Sequence, residues 1–144
     1  MMLDDETICE ITREVIALFG YSAHPVADLR PASGVSSSIA IDGPESAIVE
    51  VQMPWDVASQ LAEVMVDVED TSPEFVGDVA GEIVNMIGSN MQAVIVGPSQ
   101  LSIPSVNARA EHWSSFPAPA SMQRTIGFEC ELGRFFVTVT RTSP

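Results

Sequence analysis

Apolar residues recur at helical spacing in three stretches of the chain and alternate with polar residues in several others. Over residues 4–19, Ile8, Ile11, Val15, Ile16 and Phe19 share one face of a helix. Asp4, Asp5 and Glu6 stand near the positive end of its dipole, and Gly20 is placed to end it. Between 26 and 53 the period falls to two, with Val35, Ser37, Ile39 and Ile41 followed by Ala47, Val49, Val51 and Met53. Asp42-Gly43-Pro44 between the two runs is turn chemistry, so the pattern predicts an antiparallel hairpin, preceded by a short strand at 26–30. Pro54 then occupies the first turn of a second helix, whose Val57, Leu61, Val64 and Met65 carry the helical period to about residue 66.

The acidic stretch Val68-Glu69-Asp70-Thr71-Ser72 interrupts that pattern. Ser72-Pro73-Glu74 supplies an N-cap, a proline at the first helical position and an acid in the first turn, opening a third helix that runs to about 93. After Gly97-Pro98 the spacing predicts a short strand around 100–106, then a Pro/Ser-rich loop from Ser114 to Ser121 that contains Pro117 and Pro119. Two strands, about 123–131 and 134–141, close the chain and meet at Leu132-Gly133. This order is not the strict βαβ alternation of a dinucleotide fold. It predicts a single α+β domain over 1–144, a two-layer α/β sandwich with a mostly antiparallel sheet of about five or six strands packed against long helices.

Composition narrows the partners. The 144 residues carry 20 acids against 6 bases, a formal charge of −14, and all six bases are Arg. The asymmetry is regional: residues 1–82 hold 17 acids and 2 Arg, whereas 83–144 hold 3 acids and 4 Arg. A nucleic-acid phosphate backbone would be repelled, and no basic cluster exists to release its counterions. The acidic excess serves either as a solubility device or as a field that steers a basic partner. No apolar run approaches the roughly 18 residues that span a bilayer. The opening Met-Met-Leu-Asp-Asp-Glu lacks the basic start of a signal peptide, so the expected location is the cytoplasm, with no membrane association. Cys9 and Cys130 lie too far apart in the chain for a zinc or CxxC pattern.

Familiar catalytic arrangements are missing from the chain. His24 and His112 fall in predicted loops without a second ligand at metal spacing, and no GxGxxG, GxxxxGK[ST] or GxSxG occurs. The informative stretch is the third helix. At about 100° per residue, Phe75, Val76, Val79, Ile83, Val84, Met86, Ile87 and Met91 form a buried face. Asp78, Glu82, Asn85, Ser89 and Gln92 fall within about 80° of one another as a polar stripe, and Gly77, Gly81 and Gly88 make a third row beside it. Glycine in a helix interior costs up to about 1 kcal/mol relative to alanine, so the row implies a close neighbour: another backbone or a partner surface beside the polar stripe, or a neighbouring helix packed inside the domain.

Asp78-x3-Glu82-x2-Asn85, followed by Pro104, resembles the signature of the CheC/CheX/FliY phosphatases of bacterial chemotaxis: an acid or Ser, a Glu, an Asn and a downstream Pro. Gly81-Glu82-Ile83-Val84-Asn85-Met86-Ile87-Gly88 looks most like the CheX version, although only 18 residues separate Asn85 from Pro104, where the family usually has more. The resemblance implies a phosphatase that accelerates hydrolysis of the aspartyl phosphate on a CheY-like response regulator. Glu82 and Asn85 would be the catalytic pair, Glu82 docking against a basic residue and Asn85 orienting water, with Asp78, Gly81 and Ser89 as partner-binding positions. No cofactor or metal would belong to this chain, since the Mg²⁺ sits on the phosphorylated regulator. CheC and FliY carry two such sites; here the first helix reads Glu10-Ile11-Thr12-Arg13 without an Asn, so one site per chain is implied, along with the homodimeric state of CheX. Two other readings are a non-catalytic regulator-binding or flagellar-switch module on the same fold, and an oligomerisation domain whose third helix is wholly internal. The two C-terminal strands, if one lies at an edge, would suit sheet extension between copies.

Overall fold

The computed structural model describes residues 3–27, 33–66, 72–95, 97–110 and 117–142. Among these residues, three α-helices, α1 (Asp5–Ala17), α2 (Trp55–Val66) and α3 (Pro73–Val94), pack on an antiparallel sheet of seven strands. The strands are β1 (His24–Val26), β2 (Gly34–Asp42), β3 (Ala47–Met53), β4 (Gln100–Leu101), β5 (Ser105–Ala110), β6 (Gln123–Cys130) and β7 (Gly133–Arg141). Their order is β1-β6-β7-β3-β2-β4, and β5 also pairs with β2. This is the α+β sandwich the element order predicts, with one strand more than the upper expectation.

Each element forms for a local reason. Asp4 caps α1 by accepting the Thr7 amide at 2.8 Å, which satisfies one of the orphan donors of the first turn and places Asp4 outside the helix rather than in it. Ser72 does the same for α3 through Phe75 N at 3.3 Å, with Pro73 at the first helical position. Gly20 takes φ +88° after α1, a conformation that side chains disfavour. The hairpin pairs Val35 with Met53, Ile39 with Val49 and Ile41 with Ala47. Those residues face the helices, so the period-two pattern reads the register directly. On the same face Phe128 and Phe135 stack across β6 and β7 with centroids 5.4 Å apart. Together with the apolar faces of all three helices these residues form one core.

Several expectations are corrected. The strand expected over 100–106 is two strands, because Pro104 has no N–H to give to a ladder. Ser102 bridges the break: its amide donates to Ala40 O at 2.9 Å, and its hydroxyl accepts the Ala40 amide at 2.9 Å. The early strand lies at 24–26 rather than 26–30, where Pro25 is tolerated because β1 is an edge strand, and 28–32 lie outside the described residues. His24, expected in a loop, therefore sits on a strand, 3.9 Å from Glu129. His112, most of the acidic stretch (68–71) and the start of the Pro/Ser-rich loop (114–116) also lie outside the described residues. Neither C-terminal strand is an edge: β6 pairs with β1 and β7, and β7 with β6 and β3. Sheet extension through them is excluded by that pairing. No described helix is long and apolar enough to cross a membrane.

Candidate functional site

The end of the sheet formed by β5 lies beside α3, and the two enclose an open groove of about 530 Å³. Its helix wall carries Glu74, Asp78, Glu82 and Asn85, and its sheet wall carries Pro104, Val106 and Ala108, with Gly77 and Gly81 between them. The amphipathic turn of α3 explains the placement. Val76, Val79, Ile83, Val84, Ile87 and Met91 are buried, which fixes the helix rotation and leaves Asp78 and Glu82 exposed. Asn85 is half-buried, one turn beyond Glu82 on the same face. The exposure of Glu82 and the groove around Asn85 overturn the reading of α3 as wholly internal to the chain.

The glycine row has a definite neighbour. A Cβ on Gly77 would lie 3.5 Å from Val106 and 3.6 Å from Ala108, and one on Gly81 would lie 3.3 Å from Val106 and 3.6 Å from Pro104. A Cβ on Gly88 would meet Ile39 at 2.7 Å. The close neighbour is the sheet, through β2, β5 and the Pro104 connection, and not another helix. Lacking side chains, Gly77 and Gly81 also leave the groove open between its walls.

The groove brings Asp78, Gly81, Glu82 and Asn85 together with Pro104. The 18-residue gap is long enough for the chain to cross the sheet end through β4 and return beside Gly81. Ser89 is half-buried one turn past Asn85 and does not line the groove. Gln92, the last member of the polar stripe, is structural: its Nε2 donates to Ser99 O at 2.9 Å, tying the end of α3 to the start of β4. Glu82 and Asn85, by contrast, make no hydrogen bond or ion pair with another described residue, so both remain available to a ligand in the groove. Among the described residues, the three charged side chains lining the groove, Glu74, Asp78 and Glu82, are acidic.

A second groove, about 390 Å³, borders α1 and is lined by Glu10, Arg13, Glu14, Ala17, Tyr21, Ser22 and Ala23. Its Glu10–Arg13 pair has the spacing of Glu82–Asn85, but a guanidinium replaces the amide. Arginine offers donors only, so this position cannot accept a hydrogen bond from water as an amide oxygen can. Among the described residues, no three His, Cys, Asp or Glu side chains converge as a metal site. Cys130 is buried in β6 as packing, and Cys9 in α1 is partly buried, which raises its thiol pKa.

A family model described as chemotaxis phosphatase CheX matches residues 35–123, a span that includes all of α3 and Pro104. No curated protein sequence gives a significant match. Solved structures share the fold. CheX from Vibrio vulnificus superposes with a TM-score of 0.83 at 16% identity, over 95% of each chain. CheX from Desulfovibrio desulfuricans gives 0.73 at 21% identity, over 94% of this chain and 97% of that one. A CheX–CheY–BeF3–Mg²⁺ complex from Borrelia burgdorferi gives 0.73 at 12% identity, over 99% and 100%.

Proposed function

The chain belongs to the CheX family of chemotaxis phosphatases, and from that membership we propose that it accelerates hydrolysis of the aspartyl phosphate on a CheY-like response regulator. The observation that carries the reading is the pairing of an uncommitted carboxylate and an uncommitted amide, Glu82 and Asn85, one helical turn apart in a groove open to a protein surface. The structural relative from Borrelia burgdorferi is a complex of CheX with CheY carrying BeF3 and Mg²⁺, which supports a regulator as the occupant.

The chemistry asks little of the phosphatase. The regulator brings the acyl phosphate and its Mg²⁺, and hydrolysis needs a water placed in line with the phosphorus–oxygen bond that breaks. Water adds to phosphorus, the bond to the Asp oxygen breaks, and inorganic phosphate and a free carboxylate result. Asn85 suits the positioning role because its amide oxygen can accept a hydrogen bond from the water while its NH₂ donates one to an adjacent oxygen. It does so without a charge that would repel the phosphoryl group. Glu82 docks against a cation beside the phosphorylation site, holding Asn85 in register, and Asp78 and Gly81 border the contact. Fixing a reactant in this way converts lost rotational freedom into rate. Family membership also supports a homodimer, which sedimentation equilibrium reads directly, and a cytoplasmic location, where such regulators work.

The test follows phosphate release from the phosphorylated cognate regulator with Mg²⁺. The wild-type chain should exceed the regulator's own dephosphorylation, and Asn85→Ala should return the rate to that baseline. An unaccelerated wild type that still retains the regulator in a pull-down would replace catalysis with the binding-module reading.

A further inference from the structure

The two walls of the groove differ in chemistry. Glu74, Asp78 and Glu82 line the helix wall, whereas Pro104, Val106 and Ala108 on the sheet wall bring no charge and no side-chain donor or acceptor. Five large apolar side chains stand well exposed among the described residues: Leu18, Val64, Met65, Ile103 and Val106. Scattered exposed aliphatics are ordinary on a protein surface. Of the five, Val106 alone lines the groove, with 38% of its surface exposed.

Its place there is fixed. On the sheet, Val106 pairs with Ser37 of β2. Its two methyls lie opposite the glycines of α3: Cγ1 is 3.5 Å from where a Gly77 Cβ would stand, and Cγ2 is 3.3 Å from that of Gly81. Neither glycine has a side chain to lay over those methyls, so they stay open to whatever enters between the walls. A β-branched side chain on a paired strand has few rotamers to choose from. Little conformational freedom is therefore lost when a partner covers it.

The methyls also sit close to the two uncommitted polar groups. Gly81 directly precedes Glu82 and lies one helical turn before Asn85. A protein that fills the groove must present a cation to α3 and, beside that cation, an apolar side chain to β5.

We propose that Val106 forms an apolar subsite of the docking groove, taking an apolar side chain of the phosphorylated response regulator one helical turn before Asn85 while Glu82 engages the cation; this rests on the function proposed above. Interfaces concentrate their affinity in a few rigid, well-covered side chains next to desolvated polar contacts. Val106 therefore sets affinity and partner choice and takes no part in moving the phosphoryl group.

The experiment is an equilibrium titration with the cognate regulator carrying beryllofluoride and Mg²⁺, which reads affinity independently of catalysis. Val106→Thr keeps shape and branching but exchanges a methyl for a hydroxyl, and it should raise the Kd roughly tenfold, as desolvating a hydroxyl without a partner does. Val106→Asp should weaken binding further. Val64→Thr, the same exchange at an exposed position on α2 that does not line the groove, should match wild type. In Val106→Thr the kcat for phosphate release should stay unchanged while KM rises. Wild-type affinity in Val106→Thr overturns the subsite alone, and so does tighter binding by Val106→Asp, which would make the sheet wall a second place for cations. A fall in kcat with the Kd unaltered would make Val106 a support for Asn85 and equally overturn the proposal. No binding by the wild type removes the subsite together with the regulator as occupant.

Discussion

Replacing two glycines of the α3 row by alanine should move stability in opposite directions. Either change adds a helix-favouring residue in a helix interior, worth about 0.8–1 kcal/mol on propensity alone. At Gly77 the new Cβ would lie 3.5 Å and 3.6 Å from Val106 and Ala108, ordinary contact distances, so the propensity gain should survive. At Gly88 it would lie 2.7 Å from the Ile39 Cγ2 methyl. Ile39 is 2% exposed at the centre of β2, and its branched methyl cannot swing away without displacing the core. Overpacking of this kind costs roughly 1–3 kcal/mol. Gly77→Ala should therefore stabilise by about 1 kcal/mol and Gly88→Ala should destabilise by about 1 kcal/mol. That gap corresponds to roughly 6–8 °C in Tm for a domain of this size. Urea unfolding followed by circular dichroism, with m-values checked for equality, measures both. If Gly88→Ala proves as stable as Gly77→Ala, α3 does not sit on β2 as closely as described, and the glycine row has another cause.

Other consequences are separable. Hydrogen bonding from the Thr7 backbone amide, joined by the Thr7 side chain, holds the Asp4 carboxyl below the usual Asp range. Because the folded value is the lower one, its contribution is complete above the unfolded pKa and disappears as pH falls through the folded value. Asp4→Asn keeps a capping side chain but cannot titrate, so wild type should exceed it in stability at pH 7 and lose that lead in acid, below about pH 4. A difference in unfolding free energy that stays constant from neutral to acid pH would contradict the assignment. The acidic field predicts that kcat/KM for the regulator falls several-fold as NaCl rises from about 0.05 to 0.5 M, through KM rather than kcat. A profile that is flat in salt would leave the −14 charge as a solubility device.

Much of this was legible from periodicity, because burial on one face dictates both the 3.6-residue pattern of α3 and the two-residue pattern of β2 and β3. Spacing reported that something lies close to Gly77, Gly81 and Gly88, but a helix wheel has no information about what approaches it. The approach of Pro104 depends on the β4–β5 return across the sheet end, a long-range pairing invisible in a local window. The break between β4 and β5 was foreshadowed by Pro104, yet the Ser102 bridge that fastens it relies on Ala40, 62 positions away in sequence. Gln92 shared the polar stripe with Glu82 and Asn85, and only its contact with Ser99 O separates a structural amide from an available one. His24 was misread as loop because three-residue edge strands containing proline carry almost no pattern.

In the proposed mechanism Glu82 and Asn85, one turn apart, divide the labour between docking and water positioning, and steady-state kinetics on the phosphorylated regulator separate them most directly. Glu82→Ala should raise KM and leave kcat near wild type, as removal of a docking contact does. Asn85→Ala should leave binding of the beryllofluoride-loaded regulator intact while phosphate release drops to the regulator's own rate. Wild-type kcat in Asn85→Ala, or equal loss of binding in both variants, would contradict the account.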